Sequence, residues 1–241
     1  MTSDVPVAPG PPVLVDADPP TDLSRGLWLV KWLLLFPHVV VLVFLWLAFV
    51  VLTVVAFVAI LFTARYPAWI FRFTAGVLRW SWRVSYYGYG ALGTDRYPPF
   101  TLADVPDYPA RLEITPPGRL SRGLVLVKWW LLALPHYAVV TLFLGASGSR
   151  TLETASGETV VVDVPPYPGL VGLLVLFAAV VLLFRARYPR GMFDLVMGMQ
   201  RWVWRVTVYA GLMTDVYPPF RLDLGARDPA RPATSPPGGT P

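Results

Sequence analysis

His38 and His136 are the only imidazoles in the chain, and each directly follows a proline at the end of a shared string, SRGLWLVKWLLLFPH and SRGLVLVKWWLLALPH. Each lies about two helical turns after a lysine, Lys31 or Lys128, and the chain has no other lysine. Ionisable groups inside apolar runs of this length point to function, so Lys31, His38, Lys128 and His136 are candidate intramembrane polar residues, able to relay a proton. The alternative is structural: a neutral imidazole bonded to a carbonyl that the proline frees. A second constellation is basic and aromatic. Arg72, Arg79 and Arg83 are spaced by 7 and 4 residues, which places them within about 40° on one helical face. Asp194, Arg201 and Arg205 repeat that spacing. Guanidinium groups in a row can hold lipid phosphates in bidentate geometry, with flanking indoles at headgroup depth. Arg72, Arg79, Arg83, Arg201 and Arg205, with Trp80, Trp82, Trp202 and Trp204, are therefore candidate lipid- or partner-binding residues.

Other chemistries lack their residues. Without cysteine there are no disulfides, thiolate metal sites or thiol nucleophiles, and two histidines cannot build a His-rich centre. Asp95 and Asp215 each follow Thr and precede a YPPF turn, where a carboxylate caps local backbone. No nucleophile with a base, phosphate loop or dinucleotide glycine pattern is present. The expectation is a non-enzymatic protein with no metal and no cofactor.

The elements that must position these residues are membrane-like. Of 241 residues, 55% are apolar and 15% charged, against about 25% charged in soluble domains, and the mean hydropathy is +0.55. The net charge of +5 comes from arginines interleaved with long apolar runs, which favours anionic lipid headgroups over nucleic acid as the counterpart. Residues 1–23 and 224–241, rich in Pro, Gly and Asp, read as disordered tails, and residues 102–118 as a Pro-rich linker. The acidic N-terminal stretch does not have the pattern of a cleavable signal peptide.

Between these segments the chain repeats itself. Arg65-Tyr66-Pro67 returns as Arg187-Tyr188-Pro189, Arg79-Trp80-Ser81-Trp82-Arg83 as Arg201-Trp202-Val203-Trp204-Arg205, and Thr94-Asp95-Arg96-Tyr97-Pro98-Pro99-Phe100 as Thr214-Asp215-Val216-Tyr217-Pro218-Pro219-Phe220. Two modules result, residues 24–101 and 119–223, the second carrying a polar insertion at 145–169. Irregular polar backbone has to leave hydrocarbon, so the second module reads as two spans, about 123–144 and 170–184. By analogy the 38 apolar-run residues 27–64, about 57 Å as one helix, fold back near Leu47 to Phe49. The competing reading lays residues 24–36 on the interface and crosses once after Pro37. Driving three arginines to the bilayer centre would cost about 7–10 kcal/mol at roughly 2.5–3.5 each, so the Arg-Trp segments 68–92 and 190–212 are expected on the surface. The fold class is then all-α integral membrane, two tandem repeats, each a transmembrane hairpin followed by an amphipathic interfacial helix, about four spans. Only Arg150 would face away from the termini, so the positive-inside rule places both termini in the cytoplasm, in a multi-pass plasma-membrane protein.

The WLLLxPH, RYPxxxF, RWxWRVxxY and TDxYPPF strings resemble an actinobacterial integral-membrane family known only as a domain of unknown function. The resemblance spans about residues 23–222 and implies a polytopic plasma-membrane protein, with no activity or substrate to carry over. Copy two departs at its insertion, at an extra residue in WWLLALPH, and at Val208, where copy one has Tyr86. The function expected is organisation of anionic lipids or partner membrane proteins at the cytoplasmic face, without nucleic acid. The alternative is a small transporter, or a transporter subunit, with an intramembrane His/Lys relay.

Overall fold

Helix α1 runs without interruption from Lys31 to Thr63, about 50 Å at 1.5 Å per residue. The expected fold-back at Leu47 to Phe49 does not occur. That stretch has no Gly, Asn or Pro to open a turn, and every backbone group there is satisfied inside the helix. Pro37 sits within α1 rather than ending it. The helix stops at Ala64, held in the left-handed region at φ 55° with its N–H on the Ile60 carbonyl. Tyr66-Pro67 then reverses the chain into α2, Ala68–Tyr87. In this computed structural model the described residues are 11–153 and 159–230, with 147–153 and 159–167 described in backbone only.

The second half repeats this path with two changes, each traceable to an insertion. After α3, Arg122–Val127, comes a five-residue π turn, Lys128–Leu132, and then α4, Leu134–Leu144. The spacing from lysine to histidine is seven residues in copy one and eight in copy two. A π turn absorbs one extra residue within a helix, so Lys128 and His136 keep the facing of Lys31 and His38. The polar insertion forms an antiparallel hairpin, β3 Gly145–Glu153 with β4 Thr159–Pro168. It leaves after Leu144, the counterpart of Trp46, and rejoins at Leu170, the counterpart of Ala48. The helices α4 and α5, Leu170–Arg185, are therefore the two parts of one α1-like helix interrupted by a hairpin. The first is shorter than the span expected over 123–144, while α5 matches the expected 170–184 to within one residue and stays short of the roughly 20 residues a bilayer demands. Among the described residues only α1 is long and apolar enough by itself to cross a membrane, and the pair 122–132 and 134–144, bent by 43°, passes only if taken together. Ala186, at φ 54°, ends α5 as Ala64 ends α1, and α6 follows over Arg190–Ala210.

An all-α fold was expected, yet strands occur. Val13–Ala17, β1, pairs antiparallel with Ala110–Ile114, β2, with Val15 opposite Leu112. The first lies in the expected N-terminal tail and the second in the expected linker. Both carry the alternation of an edge packed on a core: Val13, Val15 and Ala17, and Ala110, Leu112 and Ile114, are all buried. The repeat also starts earlier than its obvious motifs, because Pro12 to Pro20 and Pro109 to Pro117 share the 97-residue offset of Lys31 and Lys128. The outermost parts of the expected tails, 1–10 and 231–241, lie outside the described residues.

Three layers result: the β1–β2 sheet and its flanking loops, then α2 with α6, then α1 with the α3–α4–α5 run. An approximate two-fold axis passes through all three. It relates Val15 to Leu112 in the sheet, and Trp82 to Trp204, whose rings meet at 5.9 Å in the middle layer. Two glycines let the loops close on this layer. A Cβ on Gly76 would lie 2.8 Å from the Leu102 Cβ and carbonyl oxygen, and one on Gly198 would lie 3.1 Å from the Asp223 carbonyl oxygen. Gly76→Ala should therefore overpack the interface and destabilise by about 1–3 kcal/mol, and Gly198→Ala by less. Thermal unfolding of the two variants checks the order.

Candidate functional site

The strongest local pattern is a clamp present in both halves. Lys31 is buried, with Nζ 2.9 Å from Asp95 Oδ1, and it donates to the Thr94 carbonyl at 2.6 Å. Lys128 repeats this with Asp215 at 2.7 Å and the Thr214 carbonyl at 3.0 Å. The same carboxylates accept the backbone N–H of Ser24 and Ser121. His38 Nδ1 accepts from Trp80 Nε1 at 3.2 Å, and His136 Nδ1 from Trp202 Nε1 at 3.1 Å. Accepting at Nδ1 puts the proton of a neutral ring on Nε2, which is buried without a protein partner in both copies. Each imidazole stacks on the phenylalanine of the YPPF string, Phe100 at 3.9 Å and Phe220 at 4.2 Å. The tyrosine of that string takes the carbonyl three residues before the proline, Tyr97 on Leu34 and Tyr217 on Leu132. Tyrosine, then, and not histidine, satisfies the backbone in the turn that the proline loosens.

These contacts give the TDxYPPF loop a physical purpose: its Asp, Tyr and Phe seat the Lys, Pro and His of the first helix. Among the described residues no hydrogen bond joins lysine to histidine in either copy: the lysines bond the TDxYPPF loops and the histidines bond Trp80 and Trp202.

Arg79, Arg83, Arg201 and Arg205, expected to face lipid headgroups or a partner, turn inward onto the protein's own loops. Arg79 Nε donates to the Leu112 carbonyl at 3.2 Å, and Arg83 donates to the carbonyls of Thr101 and Ala103. Arg201 is fully buried and donates to the carbonyls of Val15 at 2.9 Å and Asp223 at 2.6 Å. Arg205 pairs with Asp223 at 2.6 Å and Asp228 at 3.0 Å. Trp80, Trp82 and Trp204 are buried, Trp202 is half-buried, and only Arg72 of the set is exposed. Spacing alone cannot tell a stripe facing headgroups from one facing the protein's own loops. The partners Asp223 and Asp228 lie at the edge of the expected C-terminal tail and were not anticipated. The upstream extension of the repeat was the available signal that this polar layer is structured.

The pairing is also exchanged between modules. Arg79 of the first holds Leu112 of the second, and Arg201 of the second holds Val15 of the first. Asp228 is completely buried and also accepts the N–H of Val15. Burial pushes the Asp223 carboxyl up, but Arg205 and then Arg221 overcome this and hold it below the ordinary 3.8.

A groove in the outer layer is a further candidate site. Its apolar part, about 670 Å³, lies between α1 and the π turn and α4, with the C-terminal end of α6 as floor; Trp46, Phe49, Phe57, Tyr137 and Val140 line it. A second part of about 430 Å³ shares Trp46 and Thr207 with the first and is lined by Ser81, Ser85, Gln200 and Trp204. Among the described residues no cluster of His, Asp and Glu could hold a metal ion.

Asp228→Asn should leave two buried guanidinium groups undercompensated and cost about 3–5 kcal/mol, whereas Arg72→Gln should change stability by less than about 0.5 kcal/mol. Chemical denaturation separates the two. Asp223 titrates lower in the folded state, so its stabilisation is complete above the ordinary 3.8 and is lost as pH falls below it. Asp223→Asn should flatten that part of the acid-unfolding curve.

Comparison with protein families gives a match to a model described as Domain of unknown function (DUF4389), over residues 25–101 and 167–221. The two segments end near the two YPPF strings, and residues 102–166, which include β2 and most of the hairpin, fall outside them. No curated protein and no solved structure matches the chain.

Proposed function

The chain belongs to the DUF4389 family, whose description names no activity, and we propose that it is a non-enzymatic membrane protein, embedded by its outer helical layer, that organises anionic lipids or partner membrane proteins. The observation that carries this is the opposition of its two faces. Along α1 the outward side presents Trp32, Phe36, Phe44, Leu47, Val51 and Phe62, with Phe44 and Phe62 at 68% and 76% exposure. Phe177 and Phe184 continue this face on α5. A contiguous apolar face of this kind marks a membrane or protein contact. The opposite face bears Asp18, Arg96, Asp107 and the β1–β2 sheet.

The orientation follows from cost. If α1 stood across the bilayer, the polar layer packed along α2 and α6 would enter hydrocarbon beside it, at roughly 2.5–3.5 kcal/mol per charge at mid-depth. If the outer layer lies in the membrane plane, the charges stay in water and the helices keep their backbone satisfied against lipid. The two-fold axis then runs along the bilayer normal, and residues 11 and 230 share the aqueous side. We propose that this side is the cytoplasm, where anionic lipids give the leaflet a negative surface potential that attracts the basic rim.

Anionic headgroups are then met at the rim. Arg65, Arg119 and Arg122 are exposed at one end of the layer, where the Leu120 N–H bonds the Ala64 carbonyl. Arg25, Arg187 and Arg190 are exposed at the other. These six replace the buried arginines as the proposed lipid contacts.

The native chain has no cysteine, so Gly26→Cys and Gly118→Cys, both open positions for a side chain, report where the two ends of α1 lie. An impermeant maleimide should reach both from the same side of sealed vesicles; labelling from opposite sides would establish a span and end the in-plane reading. Replacing Arg65, Arg119 and Arg122 with Gln should weaken binding to anionic liposomes at low salt by on the order of 100-fold, at about 1 kcal/mol per basic residue, without changing the melting temperature.

A further inference from the structure

We propose that the groove between α1 and α4 binds a neutral lipid, one with long apolar chains and a headgroup limited to hydroxyl and ester groups. This rests on the in-plane reading above, which opens the groove to the bilayer.

The first argument is the character of the lining. The larger part offers aromatic and aliphatic side chains, and no charged residue lines either part. A phosphate headgroup held there would leave its charge unpaired in a desolvated site. The smaller part instead gathers neutral hydrogen-bonding groups. Trp204 is 6% exposed and its Nε1–H has no protein partner. Ser81 Oγ accepts from Trp46 Nε1 at 3.1 Å, so its own proton is free to be donated. Gln200 Nε2 donates to the Gly90 carbonyl at 2.7 Å, which leaves Oε1 as an acceptor. A hydroxyl and an ester carbonyl together would answer one acceptor and two donors.

The second argument comes from the duplication. At three of the residues that build the polar part the two halves depart from each other, while Trp204 and Ser85 keep their types in Trp82 and Thr207. Ser81 and Trp46 have Val203 and Leu144 as counterparts, and Gln200 has Leu78. A packing role would be served equally by the apolar pair of the other half. The chain instead gathers Ser81, Ser85, Gln200 and Trp204 in the smaller part, so that a ligand entering the groove meets a mainly apolar end and a hydrogen-bonding end. The volumes, about 670 and 430 Å³, are in the range of small-molecule sites, roughly 300–1,000 Å³.

The test uses the full chain in nanodiscs with dioleoylglycerol carrying a diazirine near the end of one acyl chain. Light should attach it to peptides containing Trp46 to Phe57 or Val203 to Leu212, and unlabelled dioleoylglycerol should compete while dioleoylphosphatidylglycerol should not. The double variant Ser81→Val with Gln200→Leu adopts the residues of the other half and should retain its fold by circular dichroism. It should bind dioleoylglycerol about tenfold more weakly, the loss of two neutral hydrogen bonds. Val140→Trp, which fills the apolar end, should also reduce capture. Equal capture by the wild type and all variants, or stronger competition by dioleoylphosphatidylglycerol, would overturn the assignment. Flotation with liposomes separates the two readings: a wild-type chain that floats but does not capture the probe defeats this inference alone, whereas one that does not float defeats the membrane reading beneath it.

Discussion

The structure depends on a reciprocal exchange between its two halves. Arg79 reaches the carbonyl of Leu112, and Arg201 reaches that of Val15, so each module anchors the strand that precedes the other. Neither strand, at five residues, would be stable as an isolated hairpin partner. Paired at Val15 and Leu112 and laid on α2 and α6, they close the polar layer and draw the two helix pairs around one axis. Buried guanidinium groups are costly to desolvate, and here Asp223 and Asp228 compensate them. The network therefore orders what would otherwise be a loose linker and two tails.

This constraint decides where the apolar residues point. Once α2 and α6 turn their charged side to the sheet, their other side packs against α1 and the α3–α4–α5 run, and those helices have only their outer side left to expose. The chain is so apolar because a whole layer faces out, and α1 needs no polar stripe because lipid is proposed to take the place of water there. The Lys-Asp and His-Trp clamps serve the same end. They pin the first turns of α1 and the π turn to the TDxYPPF loops, and the stacked phenylalanines keep those imidazoles away from solvent.

Departures from the duplication carry as much information as the duplication. The extra residue before His136 is absorbed as a π turn, so both members of the clamp survive. The larger insertion enters where α1 would continue, and α5 resumes the same helical path. Ser81 and Gln200, where the other half has valine and leucine, make one end of the central groove polar, the asymmetry on which neutral-lipid binding is proposed.

What the sequence by itself determined is local and periodic. The repeat, the membrane-like composition, the helical character of the long apolar run and the family strings were legible, because apolar periodicity and motif spacing are properties of neighbouring residues. The inward facing of Arg79, Arg83, Arg201 and Arg205 was not legible, since an amphipathic stripe looks the same whether it faces headgroups or carbonyls of the protein's own loops, 18 to 186 residues away in the chain. Val13–Ala17 and Ala110–Ile114 read as tail and linker because a five-residue alternation cannot stabilise itself; it becomes a sheet only through a partner strand 97 positions distant. The continuity of α1 through Leu47 to Phe49 likewise emerged in three dimensions, where packing on α2 along one side removes the need to turn back. Tertiary contact decided those points because burial, partner choice and the direction of a helical face are set by what the rest of the chain brings alongside.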